Sequence, residues 1–155
     1  MSSRRDSASR VIHAEASRIF GALITAESLV QWLPPRGMSG RFERFDARPG
    51  GSYRMVLTYD DGSSEAGKSS PGSDVVEGRF VEIVPDLRVV QQVAFDSADP
   101  AFTGTMTMTW ELSREDGATR VQVSADHVPR GIGAEDHVAG MSSSLANLEV
   151  FVESA

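Results

Sequence analysis

Val138, Met141, Leu145, Leu148 and Val152 fall three, four, three and four residues apart. That spacing winds one continuous apolar stripe down an α-helix. The middle of the chain has a different period. Between residues 37 and 127, apolar side chains recur at every second position, as in a strand with one buried face. A long amphipathic helix that follows a run of strands must bury its stripe, and the inner face of their sheet is large enough to receive it. This pairing restricts the fold more than composition does.

The clearest alternation runs from Gly104 to Leu112, where Met106, Met108 and Trp110 are separated by threonines. Methionine is an adaptable side chain, better suited to a wall facing varied apolar shapes than to a tightly fitted interior. Residues 52–59 alternate in the same way, with Tyr53, Met55, Leu57 and Tyr59 on one face. Strands are also expected at 10–14, 40–48, 75–84, 87–95 and 119–128. In 87–95, Leu87, Val89, Val93 and Phe95 are in phase, and in 119–128, Val121, Val123, Ala125 and His127 share a face. Helical spacing appears at Ile19, Phe20, Leu23 and Ile24 and again at Leu29, Val30 and Leu33. Two short helices broken near Thr25 fit this pattern, stopped by Pro34-Pro35 because proline restricts the residue before it. The closing helix should span 134–152, roughly 28 Å at 1.5 Å per residue. Residues 60–73 are too polar for an element and read as a flexible hairpin loop. Residues 1–8 read as a frayed, disordered tail.

The resulting order is a strand, two short helices, about six antiparallel strands and one long C-terminal helix. This is an α+β pattern, and a twisted sheet of 6–7 strands curls around such a helix. At 155 residues the chain suits one domain, 1–155. Fifteen basic residues against 22 acidic give a net charge of −7, which argues against binding nucleic acid or coating an anionic membrane. The absence of cysteine removes disulfides, thiolate nucleophiles and cysteine zinc sites. No apolar run has the length of a membrane span, and the expected location is cytoplasmic.

Four segments in order resemble the helix-grip superfamily of START and Bet v 1 proteins (SRPBCC). Within it, they resemble the family named after the C-terminal domain of the Hsp90 ATPase activator. They are Ile12-His13-Ala14 leading to a helix and Trp32; Arg48-Pro49-Gly50-Gly51-Ser52-Tyr53-Arg54; Glu77-Gly78-Arg79-Phe80-Val81-Glu82 up to Pro85; and Gly117-Ala118-Thr119-Arg120-Val121 with Leu145-Ala146-Asn147-Leu148 in the last helix. The 60–73 loop is longer than is usual in that family, and position 138 is valine where tryptophan is frequent. The resemblance implies a curved antiparallel sheet gripping a long helix, with an apolar cavity between them. Trp32, Phe42, Tyr53, Phe95, Phe102, Met106, Met108, Trp110, Met141 and Leu145 are the expected pocket residues, with His127 as a polar anchor at its mouth.

Several functions are open to this fold. The leading reading is a binder of a small apolar or amphipathic molecule, without catalysis and without a cofactor. The alternative is an enzyme resembling polyketide cyclases, dehydratases or hydrolases, with His127 or an inward Glu82 as acid or base. Glu77 and Glu82 should lie on opposite faces of a regular strand, unless a bulge at Gly78 alters the phase. A third reading is a regulator of an Hsp90-type chaperone. His13, His127 and His137 lack metal-ligand spacing, so no metal is expected. Self-association into a homodimer stays open.

Overall fold

The computed structural model describes residues 4–35, 37–60, 73–97 and 99–153. Its elements are β1 (Arg5–Ile12), α1 (Ala16–Leu23), α2 (Ala26–Trp32), β2 (Met38–Phe45), β3 (Ser52–Tyr59), β4 (Ser73–Val84), β5 (Arg88–Phe95), β6 (Met106–Glu115), β7 (Ala118–Asp126) and α3 (Ala134–Glu153). The strands form one antiparallel sheet in the order β1-β7-β6-β5-β4-β3-β2. Sequential strands are neighbours throughout, except that β1 crosses to the far edge to pair with β7. The result is the curved sheet and C-terminal helix of the helix-grip fold.

Alternation fixes which side of each strand faces inward. In β6 the inner face is Met106, Met108, Trp110 and Leu112, and in β3 it is Tyr53, Met55, Leu57 and Tyr59. Two bulges reset the phase. One, between Phe42 and Arg44 in β2, lets Phe42 and Phe45 both turn inward although they are three residues apart. Their ring centroids are 4.8 Å apart. The other lies between Phe80 and Glu82 in β4 and leaves Val81 exposed.

α1 and α2 are joined without a side-chain cap; Thr25 donates instead to the Gly21 carbonyl at 2.7 Å. The C-terminal carbonyls of α2, orphaned by the prolines that follow, are satisfied by α3. Ser144 donates to Leu33 O at 2.6 Å, and Asn147 donates to Pro34 O at 3.1 Å and Trp32 O at 3.3 Å. These bonds fix α2 across the helix middle.

Several boundaries differ from the sequence expectation. β1 begins at Arg5 rather than Arg10, so residues 5–8 are paired strand and not tail; residues 1–3 lie outside the described residues. Its polar composition hid it. As an edge strand, β1 buries only one face, and that face includes the charged Asp6. Leu87 is exposed because Asp86, at φ 62°, turns the chain before β5 starts. Residues 61–72, most of the expected hairpin loop, lie outside the described residues. Among the described residues, no helix is long and apolar enough to cross a membrane.

Candidate functional site

α3 lies over β1 more than over any other strand. Its second half closes that side with solid packing: Leu145, Leu148 and Val152 join Ile12, Val121 and Val123 in the core. The inner faces of β2 through β6 are not filled in this way. Between them, α2 and the first half of α3 lies a cavity of about 810 Å³.

Nine of the expected pocket residues line this cavity. Trp32 comes from α2, Phe42 from β2, Tyr53 from β3 and Phe95 from β5. Met106, Met108 and Trp110 form the β6 wall, Phe102 stands in the loop before it, and Met141 descends from α3. Trp32 meets Trp110 edge-on at 5.5 Å, and its indole N–H donates to Ala22 O at 3.0 Å. That bond satisfies the polar end of a fully buried ring. Phe45 and Phe80 complete an aromatic cluster around Tyr53, with centroids 6.3 and 5.5 Å from it.

Leu145 and His127 do not join them. Leu145 is 1% exposed and belongs to the solid core under α3. His127 is exposed and stands outside the cavity. β7 ends at Asp126 and His127 takes φ 60°, so the strand alternation that pointed it inward has already stopped. Glu82 is corrected in the same sense. The bulge falls at Val81 rather than Gly78, so Glu77 and Glu82 both face outward. Glu82 accepts from Arg88 at 2.7 Å; Glu77 accepts from Arg44 at 2.7 Å and also from Arg54.

The polar groups that do reach the cavity come largely from elsewhere. Tyr53 donates its hydroxyl to Gln91 Oε1 at 2.9 Å, and burial pushes the phenol well above its ordinary value, so it stays neutral. Asp74, 2% exposed, continues the inward alternation of Val76, Gly78 and Phe80 and lines the cavity. Asp99, Asp136 and His137 also line it. His137 Nδ1 is 2.8 Å from Asp6 Oδ2, and Asp6 is itself gripped by Arg4 through bonds of 2.9 and 3.1 Å. Burial alone would raise the Asp6 pKa. The hydrogen bonds from His137 and Arg4 outweigh it and hold the carboxyl below the usual range.

Sequence reasoning missed this pair. His137, Met141, Ser144 and Leu148 recur at helical spacing, which signals a face shared with the stripe. Its partner Asp6 was hidden by the misplaced start of β1. Among the described residues, no group of three or more acidic, histidine or cysteine side chains could hold a metal ion.

This architecture matches known proteins. The model of the family described as Activator of Hsp90 ATPase homolog 1-like protein matches residues 13–153, and the chain belongs to that family. A crystal structure of a Chromobacterium violaceum protein superposes with a TM-score of 0.85 at 28% identity, covering 96% of each chain. A solution structure from Arthrobacter aurescens gives 0.77 at 14% identity, covering 100% of this chain and 92% of that one. DynU16, a protein in the dynemicin biosynthetic locus, gives 0.66 at 18% identity, covering 96% of this chain and 47% of its own. No curated protein matches the chain in sequence.

Proposed function

We propose that the protein binds a small apolar or amphipathic molecule in the cavity between the sheet and α3, without catalysing a reaction on it. The observation that carries this reading is the 810 Å³ of space bounded chiefly by aromatic, methionine and aliphatic side chains. Ligand sites typically occupy roughly 300–1,000 Å³, with apolar walls and few polar anchors. A chain that only had to fold would fill such a volume, because each methyl-sized void costs about 1 kcal/mol. Membership of a family built on the helix-grip fold supports the same reading. The enzyme alternative rested on His127 or Glu82, and both lie outside the cavity.

A thermal-shift screen of lipids and aromatic metabolites, followed by native mass spectrometry of the hits, tests the proposal. One-to-one complexes that raise Tm in the wild type, and are lost when Val76→Phe intrudes on the cavity, are the expected result. A screen in which no apolar compound raises Tm would remove it.

A further inference from the structure

His137 is the cavity-lining side chain whose chemistry is most closely set by its neighbours. It sits in the first turn of α3, with its backbone N–H bonded to Gly133 O at 2.9 Å. Its Nδ1 faces Asp6 at 2.8 Å, and the bidentate Arg4 contact holds Asp6 in place from the other side. An ionised carboxylate can only accept, so Nδ1 carries the proton. In the neutral ring Nε2 is then an acceptor, fixed in direction by the bond at the opposite nitrogen. Nε2 has no hydrogen-bond partner among the described residues, and it is absent from the buried atoms lacking one, so it is open to an incoming group. Its sequence neighbour Asp136 and Asp99, in the loop before β6, are acidic and line the same cavity.

We propose that His137, positioned by Asp6 and Arg4, is the polar anchor of the cavity and selects ligands carrying a neutral, acidic hydroxyl of the phenol or enol kind. The hydroxyl donates to Nε2, while the ligand's flat body lies among rings such as Trp110, Phe80 and Tyr53. A phenol is a better donor than an aliphatic alcohol, so it gains most from an acceptor nitrogen whose direction is fixed by the bond between Nδ1 and Asp6. An anionic headgroup would face the neighbouring carboxylates and is disfavoured. This assignment rests on the cavity-binding reading above and gives it a ligand chemistry.

The test compares 2-naphthol with 2-methoxynaphthalene, which match in shape while only the first has a hydroxyl donor. Calorimetric titration of the wild type should show both binding, with 2-naphthol about tenfold tighter, the size of one well-made hydrogen bond. The preference should fall to near unity in His137→Phe, shrink in Asp6→Asn and persist in His127→Ala. Nitrogen-15 NMR of the wild type adds a readout independent of those variants. It should show His137 protonated at Nδ1, with Nε2 shifting on addition of 2-naphthol and not of 2-methoxynaphthalene. Two compounds that bind the wild type equally, with Nε2 unmoved, would overturn the anchor and leave the cavity reading standing. If neither compound binds, both readings fall.

Discussion

Substituting Gly78 by alanine tests how the cavity wall is built. Gly78 pairs directly with Tyr53 across β3 and β4, and the tyrosine ring lies over the bare glycine backbone. A Cβ there would stand 2.0 Å from Tyr53 Cζ, 2.1 Å from Cε2 and 2.4 Å from the hydroxyl oxygen. Carbon atoms pack at about 3.5–4.0 Å, so the ring must withdraw by roughly 1.5 Å. It is held by an edge contact with Phe42 at 5.9 Å, by Phe80 at 5.5 Å and by the bond to Gln91. Overpacking of this kind costs about 1–3 kcal/mol, and loss of the hydroxyl bond adds about 1. Alanine recovers about 0.5–1 kcal/mol by stiffening the unfolded chain. The net loss is about 2 kcal/mol, or roughly 4–8 °C in Tm for a chain of this length. Urea unfolding followed by circular dichroism measures it. In a double-mutant cycle with Tyr53→Leu, which removes the obstructing ring, the pair should be less destabilised than the sum by about 1–2 kcal/mol. Additive effects, or a Gly78→Ala variant as stable as the wild type, would refute the ring-over-glycine packing.

Other substitutions probe the facing of individual side chains. His127→Gly should stabilise by up to about 1 kcal/mol in thermal unfolding, because φ 60° suits glycine and the imidazole is exposed; marked destabilisation would return His127 to the interior. Ser144→Ala should cost about 1–2 kcal/mol in urea unfolding by leaving the Leu33 carbonyl without its donor. Met106→Asp should cost about 3 kcal/mol or more, since it buries a charge on the inner face, against less than about 1 for Thr109→Asp. The Asp6 carboxyl is held below its ordinary value in the folded state. Its stabilising contribution is therefore complete above the unfolded pKa of about 4 and fades as pH falls through the lower folded value. Asp6→Asn should accordingly flatten the acid limb of a Tm-against-pH curve, and an unchanged limb would contradict this.

The elements whose inner face is apolar were legible in the sequence. The methionine–tryptophan alternation of β6, the tyrosine-bearing β3 and the stripe of α3 each declare a period, and the structure keeps it. Nine of the expected wall residues line the cavity: Tyr53, Met106, Met108, Trp110 and Met141 lie on these elements, and Trp32, Phe42, Phe95 and Phe102 on α2, β2, β5 and the loop before β6. The errors arise where local periodicity stops carrying information. A left-handed residue at a strand end misplaced His127, and an extra residue at Val81 turned Glu82 outward. Leu145 has the right phase, yet it sits where α3 overlies β1 and the packing is closed. The pairing of Asp6 with His137 spans 131 residues and joins two elements whose contact no local pattern encodes. The polar side of the site was therefore hidden, although its apolar side was readable.

The protein's two tryptophans both line the cavity, so their emission reports directly on what enters it. Titration with 2-methoxynaphthalene should change the tryptophan signal saturably with one-to-one stoichiometry in the wild type, and much more weakly in Val76→Phe. A tryptophan signal that does not saturate, or that responds identically in the filled variant, would contradict the claim that this space is a binding site.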